Sequence, residues 1–319
     1  MRKKGYGRTV PVLALALGAA VFAAGKAQEL PDPQSGPRVA HVLSYNIHHG
    51  TGDCVLPPGT PPPPSPPECG FDLEQIARVI RAENVDVAAL QEVDRFWNRS
   101  ARTDQPAILA KELEMHRCYA ANLDHPPDSH SPVPHQYGTL ILSRFPILDC
   151  RNTFLPSTRP ATETTPEVRR EQRGLLEALV NARGVPFRIY NTHLEHTSAF
   201  QDVRTAQVNR IVELVGSFEE PTALAGDLNA LPTASEMQPL FALFEDAWLE
   251  GGDGGPGYTL STHPVDPPTR RIDYVLVSPG IAVSETRVVI NDTTRRASDH
   301  YPVRAELALP GSEVGIGKQ

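Results

Sequence analysis

The sequence predicts a single α/β domain with layered sheets. Short apolar, β-branched runs of strand length alternate with stretches of helical periodicity through one uninterrupted length, with no internal repeat and no linker that would divide two modules. Six of the strand-like runs also carry a polar residue at one end: Asn46 in VLSYNIHHG, Glu92 in ALQEVD, His193 in IYNTHLEH, Asp227 and Asn229 in LAGDLNA, Asp273 in RIDYVLVS, and Asp299-His300 in ASDHYPV. Strands of one sheet deliver such ends to a shared rim, so the repetition points to a site and not to isolated surface polarity.

The elements follow in order. Residues 39–47 alternate apolar and polar as a strand does. Asp72 is placed to cap a helix whose apolar face is Leu73, Ile76, Ala77, Val79 and Ile80. Residues 85–90 read as a short buried strand ending in Gln91-Glu92, and 108–113 belong to a second helix. Strands are expected over 139–142, 148–155, 175–181 and 186–192, the last two forming a hairpin around Ala182-Arg183-Gly184-Val185. An amphipathic helix over 199–218 would turn Val203, Ala206, Ile211, Val212, Leu214 and Val215 inward. Strands over 222–225, 272–277, 283–289 and 303–307 complete the set. The segments 54–70, 124–136, 156–170 and 251–269 lack periodicity and are rich in Pro, Gly, Ser and Thr, as substrate-selecting rims are.

At the N-terminus, Arg2, Lys3, Lys4 and Arg8 precede an apolar stretch from residue 10 to 24 that ends in small residues. At about 15 residues it falls short of the roughly 20 that span a bilayer, so cleavage after Ala27 is expected, with an uncleaved anchor as the alternative. The expected plan is a signal peptide over 1–27, a linker over 28–38, a catalytic domain over 39–309 and a flexible tail over 310–319. The mature chain would then be exported to the periplasm or beyond, without a transmembrane span, as a monomer. Losing five basic residues and no acids takes the net charge from −8 to −13. Such a balance lacks the basic footprint of a tight nucleic-acid binder, although bound divalent cations can supply local positive charge.

Four cysteines in an exported chain suggest two disulfides among three connectivities. Cys54 and Cys69 flank a proline-rich loop; Cys118 and Cys150 lie in neighbouring apolar segments and could bridge adjacent strands. No CxxC spacing supports zinc.

The polar ends have the chemistry of phosphate-ester cleavage, which needs charge neutralisation, an in-line water and a proton for the leaving oxygen. Glu92 is the candidate ligand for a hard cation such as Mg²⁺ or Mn²⁺, with Asn46 beside it as an oxygen donor and Asp299 facing the metal. Asp227 would orient or deprotonate the water, and Asn229 would donate its amide to the phosphoryl oxygen. His300 suits acid–base work with Asp273 fixing its tautomer, and His193 would donate to the phosphate or protonate the leaving oxygen. Taken singly, each residue has an ordinary structural explanation; a GDxN pattern alone recurs by chance.

Jointly, SYNIHHG, LQEVD, NTHL, GDLN, RIDYVLVS and SDHYPV resemble the endonuclease/exonuclease/phosphatase superfamily over about residues 39–307. The resemblance implies a four-layered α/β sandwich of the DNase I-like kind, two packed mixed sheets flanked by helices, with Mg²⁺ dependence and the roles just given. His193 stands where abasic-site endonucleases carry Tyr, as in the deoxyribonuclease, sphingomyelinase and inositol-phosphatase branches. GDLN replaces the commoner GDFN. YGTLILSRFPI, QRGLLEALV and YNIHHG resemble a bacterial branch related to proteins of glycosylphosphatidylinositol-lipid remodelling. That adds Arg144 and Arg173 as phosphate-binding or fold-supporting candidates, and His48 and His49, one backing the metal and the other facing solvent.

The substrate expected is a lipid head group or small phosphoester, with a secreted DNase I-like nuclease as the alternative. A non-catalytic binding module on the same fold is the alternative of another class; it would have lost a ligand or the Asp–His pair. No GxSxG elbow supports a serine hydrolase.

Overall fold

The computed structural model describes residues 38–52, 71–127, 132–162, 166–260 and 267–310. The expected signal peptide and the Cys54–Cys69 pair lie outside them, as does all of the tail beyond residue 310. In chain order the elements are β1 (Arg38–Asn46), α1 (Leu73–Ala82), β2 (Val87–Arg95), α2 (Gln105–Leu113), β3 (His116–His125), β4 (His135–Ser143), β5 (Ile147–Phe154), β6 (Thr158–Arg159), β7 (Val168–Arg169), β8 (Gly174–Ala182) and β9 (Val185–His193). They continue with α3 (Gln201–Val215), β10 (Thr222–Asp227), α4 (Gln238–Leu243), β11 (Glu245–Asp246), α5 (Ala247–Gly251), β12 (Asp273–Val277), β13 (Ala282–Val288), α6 (Thr294–Ala297) and β14 (Val303–Leu309).

Two six-stranded mixed sheets result, ordered β13-β14-β1-β2-β4-β3 and β11-β12-β10-β9-β8-β5. Their inner faces pack together through Ala40, Val42, Val87 and Ile141 on one side and Ala178, Phe187, Ile189 and Val275 on the other. The outer face of the first sheet, with Leu43, Tyr45 and Leu90, is covered by Ile76 and Ile80 of α1 and Leu109 of α2. The outer face of the second, with Tyr190, Leu224 and Leu276, is covered by Val208 and Ile211 of α3 and Leu240 of α4. Helix, sheet, sheet and helix make the four layers. Both faces of the central strands are covered, so runs such as Val87–Leu90 of β2 and Ala223–Ala225 of β10 are buried and apolar at successive positions instead of alternating.

Local signals explain the ends of elements. Asp72 caps α1, its carboxylate accepting from the Glu74 and Gln75 amides at 3.1 and 3.4 Å, a cap typically worth about 1 kcal/mol. The β8–β9 hairpin turns at Arg183-Gly184, both at positive φ. β2 runs on past the expected Leu90 to Arg95, because a bulge between Leu90 and Val93 lets pairing with β4 resume. β3 went unread in the sequence: its alternation HRCYAANLDH carries charged and polar residues on its open edge.

The helix expected over 199–218 is shorter and faces differently. Ala206 is exposed, while Arg204 and Gln207 are buried. The reason is specific: Gln207 accepts from the Glu195 amide at 2.9 Å, and Arg204 donates to the Glu195 carbonyl at 2.8 Å. A hydrophobicity pattern misses an inward face that binds backbone.

Cys118 of β3 and Cys150 of β5 are disulfide-bonded, with Cα atoms 5.8 Å apart. These strands are not neighbours in one sheet; each is the edge of a different sheet, so the bond clasps the two sheets together. Closing this loop restricts the unfolded chain by roughly 4 kcal/mol in the chain-entropy model.

Candidate active site

Topology brings the motif residues to one rim. β1 and β2 run parallel, as do β9 and β10, so Asn46, His193 and Asp227 lie at carboxyl ends, and Glu92 follows Gln91, the partner of Asn46, at the bulge within β2. β12 runs antiparallel to β10 with Asp273 directly opposite Asp227. β14 is antiparallel to β1, which sets Asp299-His300 just before the same edge. Gly226 permits this crowding: a Cβ there would stand 2.2 Å from the Thr192 carbonyl oxygen, so β9 and β10 approach closely one residue before Asp227.

Asn46 joins the sheets. Its side-chain amide donates to Glu92 Oε1 and to Asp227 Oδ2, each at 3.1 Å, and its Oδ1 accepts from the His48 amide at 3.0 Å. Glu92 sits at the bulge of β2 with φ +58°, a left-handed conformation that costs a non-glycine residue about 1–3 kcal/mol. The bulge turns its half-buried carboxylate to the rim. Asn229, at φ +50°, donates its amide N–H to Asp227 Oδ1 at 3.0 Å, while its side chain donates to the Leu194 carbonyl at 3.1 Å.

Asp227, Asp273 and His300 are buried together. His300 Nδ1 lies 2.8 Å from Asp273 Oδ2, and its Nε2 lies 3.8 Å from Asp227 Oδ2. Burial alone would lower the His300 pKa, but Asp273, Asp227 and Asp299 outweigh it and hold the imidazole well above its usual value. Burial, and then the charge of Asp273, raise Asp227 far above the usual carboxylate range. His193 Nε2 is 3.4 Å from Asp227 Oδ2. Burial, then Arg173 and His300, push its pKa well down, so it stays neutral. Asp299 is half-buried, its Oδ1 3.3 Å from Ser298 Oγ.

Among the described residues no Lys or Arg pairs with Glu92, Asp227 or Asp273, and Asp273 Oδ1 is buried without a partner. Carboxylates with no Lys or Arg partner and an orphaned oxygen, flanked by imidazoles, form a donor set that fits a divalent cation.

The remaining candidates divide. Arg173 is 3% exposed and precedes β8 next to His193, with its guanidinium 3.3 Å from His196 Nδ1 and 3.2 Å from Glu171. It belongs to the site's edge. Arg144 does not: it donates to the Val85 carbonyl at 2.8 Å, at the opposite rim, and supports the fold. His48 and His49 do not split between metal and solvent; both are half-buried beside Glu92. Burial, then Arg99 and His48, lower the His49 pKa to about 3.

Two contributors escaped the sequence reading. Ser298 donates to the Asn46 carbonyl at 2.8 Å and accepts from the His300 amide at 3.2 Å, tying both motifs; it stood in the SDH motif without a role. Gln91 donates to Asn191 Oδ1 at 2.8 Å across the sheets, and Asn191 donates to the Leu90 and Leu140 carbonyls. A cavity of about 510 Å³ lined by Trp248, Tyr258, Pro268 and Ile290 holds none of the motif side chains.

Residues 43–300 match the Endonuclease/Exonuclease/phosphatase family. No curated protein matches the sequence. Among solved structures, an endonuclease/exonuclease/phosphatase from Beutenbergia cavernae is 28% identical, with 86% of this chain and 72% of that chain covered and a TM-score of 0.63. The Bacteroides thetaiotaomicron mannosyl-6-phosphatase is 18% identical (84% and 99% covered, TM-score 0.56). The human Nocturnin catalytic domain with bound sulfate is also 18% identical (86% and 96%, TM-score 0.57). The chain belongs to the endonuclease/exonuclease/phosphatase family.

Proposed function

We propose that this member of the endonuclease/exonuclease/phosphatase family is an exported, divalent-cation-dependent phosphoesterase that cleaves a phosphodiester or phosphomonoester by attack of water. The observation that carries the reading is the buried Asp227–Asp273–His300 cluster, left without a Lys or Arg partner and held beside Glu92 through Asn46. Export is supported by the basic-then-apolar N-terminal sequence.

Glu92 and Asp299, with Asn46 adjoining, are the residues that would hold Mg²⁺ or Mn²⁺. A bound cation supplies charge neutralisation at the phosphoryl oxygens and acidifies water. Asp227, oriented by the Asn46 and Asn229 N–H groups and raised toward neutral pH, takes the proton of the attacking water. Asp273 fixes His300 with its hydrogen on Nδ1, and the imidazolium stabilises the negative charge that builds on the phosphoryl group. Neutral His193 donates a hydrogen bond toward the phosphate. Arg173 adds positive charge at the edge.

The acidic balance favours a lipid head group or small phosphoester over a polynucleotide. The test is hydrolysis of bis-p-nitrophenyl phosphate by the purified protein. EDTA should abolish turnover and Mg²⁺ or Mn²⁺ should restore it; full turnover after exhaustive chelation would refute the metal mechanism. A panel of sphingomyelin, inositol phosphates, sugar phosphates, plasmid DNA and RNA then separates substrate classes, and a preference for DNA would establish the nuclease alternative.

A further inference from the structure

Beside the carboxylates, the NIHHG segment brings nitrogen donors to Glu92. One donor atom from each of His48, His49 and Glu92 lies within 4.8 Å of the other two, and all three side chains are half-buried. Both rings are oriented by a single residue. His48 Nδ1 lies 3.0 Å from the Thr51 carbonyl, which only accepts, so Nδ1 carries the hydrogen and Nε2 keeps its lone pair. His49 Nδ1 lies 2.9 Å from Thr51 Oγ1, a hydroxyl that can accept the ring hydrogen and so leave the lone pair on Nε2. Anchoring the far nitrogen in this way is how proteins orient metal-binding imidazoles.

The backbone is bent to make this possible. His48 and His49 both have φ +44°, and Gly50 follows at φ +74°. Two successive side-chain-bearing residues in the left-handed region cost roughly 1–2 kcal/mol each. Hydrophobic burial does not account for that cost, since both rings remain partly exposed. The rings lie side by side, with centroids 4.5 Å apart and 37° between planes, and each brings a donor atom within reach of Glu92. His48 also fixes Asn46 through its amide, which links this cluster to Asp227.

We propose that His48, His49 and Glu92 form a cation site with two nitrogen donors and one oxygen, selective for a borderline transition cation such as Mn²⁺, Co²⁺ or Zn²⁺ over Mg²⁺. Imidazole suits the transition series, whereas Mg²⁺ takes oxygen ligands and keeps its waters. Metal–ligand bonds of about 2.1 Å place donors roughly 3 to 4 Å apart, a small closure from the observed spacing. The inference rests on reading Glu92 as a cation ligand and names the cation that position prefers.

The experiment is Mn²⁺ binding to the purified protein, by calorimetric competition with Mg²⁺ and by electron spin-echo spectroscopy, which detects ¹⁴N bonded to Mn²⁺. The wild type should bind Mn²⁺ at least about tenfold more tightly than Mg²⁺ and show directly coordinated ¹⁴N. A His48→Asn, His49→Asn double variant, in which Asn tolerates positive φ, should lose the ¹⁴N signal and most of the preference. Glu92→Gln should weaken both cations. Mn²⁺ bound in a Glu92-dependent way without coordinated ¹⁴N in the wild type overturns the nitrogen site but leaves the phosphoesterase reading intact. So does a ¹⁴N signal that persists in the double variant. No binding of either cation refutes both. The wild-type spectrum decides even if the double variant fails to fold.

Discussion

Two clusters of buried charge flank the end of β9, and they are built on opposite principles. In the first, Asp227 and Asp273 face each other with only imidazoles and amides around them, one oxygen has no partner, and Asp227 is driven up from its usual pKa. In the second, two residues beyond His193, Glu195 meets Arg170 at 3.0 Å and Glu236 meets Arg204 at 2.8 Å. Burial alone would raise Glu195, but hydrogen bonds from Arg170 and Thr197 outweigh it and bring the group down to about 2. Both clusters are desolvated, so solvent does not explain the contrast. What differs is the partner: the chain supplies guanidinium groups to one cluster, and only imidazoles and amides to the other. Arginine-paired charge marks the 195–207 region as scaffold, and carboxylates without an arginine mark the neighbouring rim as the candidate site.

Variants that swap these properties test the contrast. The largest effect is expected in the first cluster. His300→Ala and Asp227→Asn should each lower kcat on bis-p-nitrophenyl phosphate by about 10² or more. Asp227→Asn should also leave the metal-free thermal midpoint unchanged or raise it, because it removes one of two like charges; a marked fall would show that the carboxylate is structural.

Arg204→Ala should do the reverse. Removing one partner of a buried pair leaves Glu236 uncompensated, at a cost of about 3–5 kcal/mol in urea unfolding. Turnover of the protein that remains folded should stay within about threefold of wild type; a loss comparable to that of His300→Ala would erase the distinction between the clusters.

The pH dependence of metal-free stability should split by sign. Glu195 has a lowered pKa, so its contribution is complete above about 4.5 and is lost as pH falls toward about 2. Asp227 has a raised pKa, so the folded state holds its proton more tightly than the unfolded state does. Its ionisation therefore costs stability as pH rises above the ordinary value of 3.8 toward neutrality. Glu195→Gln should flatten the acid limb, and Asp227→Asn the neutral one, in midpoints measured with EDTA present; identical profiles for wild type and both variants would remove the electrostatic account.

The smallest effect is at the surface. The Glu74–Arg78 pair on α1 has both side chains more than half exposed, and Arg78→Ala should change stability by less than about 0.5 kcal/mol. A larger loss would mean that burial is not what separates the buried pairs from this one.

Much of the candidate site was legible because its side chains sit at the ends of apolar runs. Taken together and in order, GDLN, NTHL and SDH point to Asp227, His193 and His300, and the Asp72 cap and the face of α1 follow from spacing. The bulge at Glu92 was not legible, since an extra residue in a strand leaves the apolar run unchanged while redirecting a side chain. Arg204 and Gln207 were missed because they point inward to bind backbone, which hydrophobic periodicity cannot register. Cys118 and Cys150 could be paired on paper, but not assigned to edges of different sheets.

The sequence by itself determined the residue types, their order and the strands that carry them, because period and end-capping are local. Only the tertiary structure decided that Asn46 of one sheet would touch Asp227 of the other, that two aspartates would share a buried space without an arginine, and that two histidines would turn toward Glu92. Each depends on distances between segments far apart in the chain, set by how two sheets pack. The energies that set the candidate site apart, desolvation and carboxylates without a Lys or Arg partner, arise only from that packing.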